Sequence, residues 1–164
     1  MLLLLVILSL CHATDTLDQM INVPGTRSLF IQDAKIILDE EVENKTGFFG
    51  FTIRNTYKLV RRMDNGKVIE KSIDNMLDEF LIVMEPFHQS YSRLNPATRP
   101  DFSAYLSQHN DEVTQALLSI SDGRREKVTN RFIAGTYDQF RSYADTHTSQ
   151  AVPAIGRLIS KYAY

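Results

Sequence analysis

The chain has 164 residues, with 18 Lys and Arg against 20 Asp and Glu and a formal charge of −2. That balance gives no electrostatic case for nucleic acid, which needs a basic patch. The single cysteine, Cys11, excludes an intrachain disulfide framework, so a packed core must hold the fold.

Leu2 to Leu10 reads LLLLVILSL and is followed by Cys11-His12-Ala13 and a polar run from Thr14. An apolar stretch of about ten residues ending in small side chains has the form of a secretory signal peptide. It is too short to span a bilayer, which takes about 20 apolar residues. The expected cut follows Ala13, leaving a secreted chain from Thr14 to Tyr164 with no transmembrane span after cleavage. Two alternatives remain. The run lacks Lys and Arg before it, which suits an apolar anchor, and Cys11 suits a lipid-modified cysteine except that bulky Leu10 precedes it.

Residues 14–27 lack periodicity and carry Pro24-Gly25, a turn signal, so they read as a tether. A first helix is expected over Ser28 to Lys45, with Leu29, Ile36, Ile37 and Val42 inward and Asp39, Glu40, Glu41 and Glu43 outward. Thr46-Gly47 ends it. A second helix covers Phe48 to Met63 on the stripe Ile53, Tyr57, Val60. Asp64-Asn65-Gly66 is a turn. From Val68, the residues Ile69, Ile73, Met76, Leu77, Phe80, Leu81 and Met84 mark a wide apolar face, which suits a central helix. Pro86 should end or kink that helix, with Phe87 and Tyr91 continuing it after a kink. Asn95 to Pro100 is a loop, and Asp101 opens a fourth helical region, broken near Asn110 and ending near Ile120. Ser121-Asp122-Gly123 reads as a turn. A fifth helix is expected over Arg124 to Tyr143 and a sixth over Ser149 to Tyr162, with Pro153 in its first turn. The fold class is therefore all-α, a bundle of about six helices.

Two stretches echo each other. Ile53-x-x-Thr56-Tyr57-x-x-Val60-Arg61 matches Ile133-x-x-Thr136-Tyr137-x-x-Phe140-Arg141. Ile37-Leu38 precedes Tyr57 by the same distance as Leu117-Leu118 precedes Tyr137. The pattern implies tandem three-helix units at about 28–91 and 101–164, in a single domain over 28–164.

The run Glu41 to Gly50, with Ile53 and Tyr57-Lys58, resembles the opening of a family of small helical proteins associated with actinobacteria and archaea, a domain of unknown function. Ala116-Leu117-Leu118, Ser121-Asp122, Tyr137, Val152-Pro153 and Leu158-Ile159-x-Lys161-Tyr162 are similar to that family's end. The resemblance spans Ser28 to Tyr162. It implies an all-helical fold and brings no activity, and its members usually lack a signal peptide.

No catalytic, metal or cofactor motif is present. His88, His109 and His147 lie beyond helical reach of one another, so none pairs locally on a metal. Asp111 and Glu112 are adjacent and diverge on a helix, as do Glu40 and Glu41. There is no Gly-x-Ser-x-Gly elbow and no Gly-rich phosphate loop; Gly47-x-x-Gly50 is too short for one. Phe48, Phe49 and Phe51 form the best candidate contact for an apolar ligand or partner, since Phe49 diverges from the other two by about 100°. Tyr57 and Tyr137 are expected to be structural, with hydroxyls bonded to Thr56 and Thr136 or to a carboxylate across the interface. Asn44-Lys45-Thr46 is an N-glycosylation acceptor. Arg61-Arg62 and Gly123-Arg124-Arg125 are dibasic, as in a peptide precursor, although helical periodicity runs through both.

These features imply a secreted, non-enzymatic interaction module with an unidentified protein or apolar partner. The alternatives are a carrier of a hydrophobic ligand or lipid, an enzyme with a dispersed site, and a precursor. A carrier should show an apolar cavity lined by Phe and Met, and an enzyme should show polar groups converging in a cleft.

Overall fold

A computed structural model describes residues 15–129 and 131–164. The leader expected at 1–13 lies outside them. The described residues form seven α-helices and a short 3-10 turn, with no strand among them. In chain order they are α1 (Leu17–Ile21), α2 (Thr26–Glu43), α3 (Gly47–Arg61), the 3-10 turn (Met63–Gly66), α4 (Val68–Ser92), α5 (Phe102–Gln108), α6 (Asn110–Glu126) and α7 (Arg131–Ala163). The all-α class expected from the apolar periodicity is the one observed.

Two long helices organise the rest. On α4, Ile69, Leu77, Leu81 and Met84 are buried, as the wide apolar stripe predicts, and α1, α2 and α6 pack around it. On α7, Val152, Leu158 and Ile159 are buried against α5, α6 and α2. Phe30 of α2 fills the space between them, its ring 6.0 Å from Phe80 and 5.3 Å from Tyr162. At the other end of α4, Tyr91 meets Phe102 at 5.0 Å, Tyr105 at 5.3 Å and Tyr164 at 5.0 Å.

The stretch read as a tether is part of this core. Residues 17–21 form α1, and both Leu17 and Ile21 are fully buried. A single helical turn is too short to show periodicity, which needs a window of about 11 residues or more. The signal that identifies it is the capping box. The Thr16 hydroxyl accepts from the Gln19 amide, and the Gln19 side chain accepts from the Thr16 amide. Glu85 takes the Leu17 N–H at 2.8 Å. Arg27 then ties the following turn to α4 through Asp74 and Asp78, each at 2.7 Å.

The inward face of α2 also differs from expectation. Leu29 and Ile36 are exposed, while Phe30 and Val42 are buried and Ile37 is half-buried. Rotating the face brings Phe30 between α4 and α7, which buries more apolar area than Leu29 would.

The second half departs most from the sequence reading. Ser121-Asp122-Gly123 is helical, because α6 runs on to Glu126. The expected fifth and sixth helices are one helix of 33 residues. No Gly or Pro interrupts residues 143–149, so nothing local ends the helix there. Pro153 lies inside α7 and cannot donate to the carbonyl of Ser149, four residues earlier. The Asn110 side-chain amide donates to that carbonyl instead, at 3.0 Å. The Ser149 hydroxyl returns a bond to the Asn110 side-chain oxygen, Oδ1, at 2.6 Å. The expected break near Asn110 is real: α5 ends at Gln108 and α6 begins at Asn110. Pro86 does not end α4, which continues through it to Ser92 with Tyr91 buried.

Close approach accounts for one glycine. A Cβ on Gly156 would lie 2.5 Å from the Ser103 Cα, so α7 passes against the backbone of α5 at that point. Ser103 donates to the Pro153 carbonyl beside it, at 2.8 Å.

Candidate functional site

Between α2, α4, α6 and α7 lies a cavity of about 520 Å³. From α2 it receives Phe30, Ala34 and Ile37, and from α4 Ile73, Met76 and Phe80. Leu117 and Ile120 of α6 and Ala151 and Ile155 of α7 close the far side, and α3 contributes Ile53. All of these side chains are hydrocarbon, aromatic or thioether. The cavity falls within the roughly 300–1,000 Å³ of small-molecule sites.

Polar groups enter at one edge, where the end of α2 meets the middle of α7. Glu41, Lys45, His147 and Thr148 line the cavity there. The Lys45 ammonium lies 3.3 Å from Glu41 and 3.2 Å from the Gln150 side-chain oxygen. The arrangement can hold the body of an apolar molecule in hydrocarbon and its polar end beside a cation.

Helix α3 forms the neighbouring wall. Its Tyr57 donates to Asp39 of α2 at 2.6 Å, and Arg61 lies 3.5 Å from the same carboxylate. Burial, reinforced by the Asp39 hydrogen bond, pushes the Tyr57 hydroxyl above its ordinary range. In the second half, Tyr137 donates to Asp122 at 2.5 Å, and the Ser121 hydroxyl lies 3.0 Å from the same phenol oxygen. Arg141 holds Asp122 at 2.8 Å. That arginine, followed by Tyr137, keeps the Asp122 carboxyl below the usual range. In both cases a carboxylate on the preceding helix is shared by a tyrosine and by the arginine four residues after it. The partners are carboxylates, the second of the two kinds expected. Neither tyrosine is fully buried.

The other expected positions are spread over the molecule. Phe51 is 57% exposed, while the side chains of Phe48 and Phe49 lie outside the described residues. Asn44 is exposed at the C-cap of α2, and Thr46 beside it is exposed. Arg124 is paired with Glu79 at 2.7 Å and Arg125 with Asp138 at 2.8 Å, so this dibasic pair is engaged within the fold.

The three histidines stay apart. His88 is buried between the Asp15 carbonyl at 2.9 Å and the Tyr164 hydroxyl at 2.6 Å. A carbonyl only accepts, so Nε2 donates to Asp15, and Nδ1 faces the Tyr164 hydroxyl. His109 lies against the Tyr105 ring at 4.6 Å, and His147 lines the cavity. Among the described residues, no three metal-ligating side chains converge, and no helix is long and apolar enough to cross a membrane.

The apolar stripe on α4 points Ile73, Met76 and Phe80 toward the core, where they line the cavity. An unfilled volume depends on how helices distant in sequence meet, and no local motif encodes it.

A family model described as a family of unknown function, DUF6918, matches residues 17–163. No curated protein and no solved structure matches the chain. The match begins at the first residue of α1 and ends at the last residue of α7, and the chain belongs to this family of unknown function.

Proposed function

We propose that the chain binds an apolar small molecule with one polar end. The observation that carries this reading is the cavity of about 520 Å³, open to solvent on one side, lined mostly by hydrocarbon and edged by Lys45, Glu41 and His147. Filling such a space with an apolar ligand removes hydrocarbon from water and restores the dispersion contacts that a void forfeits. A fatty acid fits this pattern, with its chain in the cavity and its carboxylate near Lys45.

The test is titration with a fluorescent fatty acid, cis-parinaric acid. Saturable binding at one molecule per chain is expected. Ala34→Phe and Ala151→Phe should abolish it by filling the cavity while leaving helicity unchanged. No saturable binding to the parent chain, or undiminished binding to both filled variants, would overturn the reading.

Export belongs to the same proposal. The apolar run Leu2 to Leu10, with Ala13 at the expected cut, supports a secreted binding protein. N-terminal sequencing of the exported protein should begin at Thr14. Retention of Met1 on protein inside the cell would remove secretion from the proposal and leave the cavity reading standing.

A further inference from the structure

Helix α3 differs from the rest of the bundle in charge and in packing. Residues 47–63 carry Arg54, Lys58, Arg61 and Arg62 and no Asp or Glu. None of the described α3 side chains is buried, yet Phe51 is 57% and Leu59 is 67% exposed, with Met63 just beyond the helix at 59%. At about 100° per residue, Lys58 and Arg62 each project within about 20° of Phe51, and Leu59 lies about 80° away. The outer face thus mixes large apolar side chains with cations. Arg54 is occupied by the Lys45 carbonyl and Arg61 by Asp39. Lys58 and Arg62 have no carboxylate partner among the described residues and are exposed.

We propose that α3 docks on an anionic lipid surface, with Phe51, Leu59 and Met63 entering the boundary between headgroups and acyl chains and Lys58 and Arg62 pairing with lipid phosphates. Charge complementarity selects this occupant. A helix with cations, no acids and exposed apolar side chains on one face fits an interface that is anionic outside and apolar beneath. Nucleic acid would match the cations but leave the Leu and Met side chains unused. The long Lys and Arg stems allow their charges to stay at the headgroups while the neighbouring apolar groups go deeper. The inner side of the same helix carries Ile53 on the cavity wall, so the docked face and the cavity are separated by one helix. The docking stands on exposure and charge alone, and an empty cavity would not remove it.

The experiment is vesicle co-sedimentation of the chain beginning at Thr14, which keeps every described residue and lacks the apolar leader. One vesicle set is pure phosphatidylcholine, and the other is equal parts phosphatidylcholine and phosphatidylglycerol. Binding to the mixed vesicles only, weakened by added salt, is expected. Replacing both cations, Lys58→Ala with Arg62→Ala, should weaken it roughly thirtyfold, at about a fivefold loss for each cation. Phe51→Ser with Leu59→Ser should weaken it as well. Unchanged helicity and unchanged parinaric acid binding keep folding defects apart from docking defects. No binding to the mixed vesicles, equal binding to both sets, or parent-like binding of the cation variant would overturn the proposal. So would concentration-dependent dimerisation that Leu59→Ser abolishes, which would assign this face to a second copy of the chain.

Discussion

The Asn110 side chain stands in for a backbone N–H that Pro153 cannot supply to the Ser149 carbonyl, at 3.0 Å. Asn110→Ala should therefore cost about 1–3 kcal/mol, the penalty for a carbonyl left without a partner away from water. Pro153→Ala restores the helical donor. In that background the cost of Asn110→Ala should shrink, and a double-mutant cycle from urea denaturation reads the difference. Strict additivity of the two changes would show that Asn110 acts independently of the proline.

Gly156 allows α7 to pass against α5. Because a Cβ there would meet the Ser103 Cα at 2.5 Å, Gly156→Ala must push two helices apart. Overpacking of this kind costs about 1–3 kcal/mol. At an unhindered helical glycine the same change stabilises by up to about 1 kcal/mol. Gly123→Ala, where nothing lies within 4 Å, supplies that control. Opposite shifts in thermal midpoint are expected for the two variants.

Tyr57 and Tyr137 should respond alike to loss of the hydroxyl. Each donates to a carboxylate, Asp39 or Asp122, from a position short of full burial. Tyr57→Phe and Tyr137→Phe should each cost about 1–2 kcal/mol, between the ~1 kcal/mol of an ordinary hydrogen bond and the roughly 1.5–3 kcal/mol of one to a charged group, because both sites are partly exposed. Chemical denaturation measures both. A penalty at one site alone would count against equivalent tandem units.

Stability should fall at both ends of the pH scale. Lys161 and then Tyr162 hold the Asp33 carboxyl below its ordinary range, Arg27 and then Asn22 do so for Asp78, and Arg141 and then Tyr137 for Asp122. A folded value below the unfolded one stabilises above about pH 4, and the contribution is lost as pH drops through the folded value. At the alkaline end, burial and then Asp33 push Tyr162 up to about 12. That contribution is full below the unfolded value of about 10 and disappears as pH climbs to about 12. Urea midpoints across pH should be level between the two limbs. Asp33→Asn should flatten part of each limb, because Asp33 serves Lys161 and Tyr162 together.

Most of the helical architecture was legible where apolar residues repeat over several turns. The stripe from Ile69 to Met84 identified α4 and its buried face, and Asp64-Asn65-Gly66 marked a real turn, with all three residues at positive φ. Legibility failed where local and tertiary preferences diverge. Gly123 reads as a stop, but Asp122 and Arg124 on either side are held by Arg141 and Glu79, and α6 continues past it. Thr146, His147 and Thr148 are indifferent helix formers, yet α7 runs through them against α6. The candidate site was not legible in the same way. The spacing sets Phe49 apart from Phe48 and Phe51 and does not single out Phe51, which is exposed, and the cavity arises from five helices whose spacing no single segment records.

The acid-free stretch around α3 has a consequence for the whole molecule. Four of the 18 basic residues and none of the 20 acidic ones fall on 47–63, so the remainder of the chain carries a formal excess of six negative charges. On the docking proposal, this segregation of formal charge makes α3 the positive end of an electric dipole. In the field of a negative surface such a dipole experiences a torque that turns the positive pole inward, while the acidic remainder resists approach in any other orientation. Orientation would thus be set before contact, over distances of about one Debye length, ~8 Å at physiological salt.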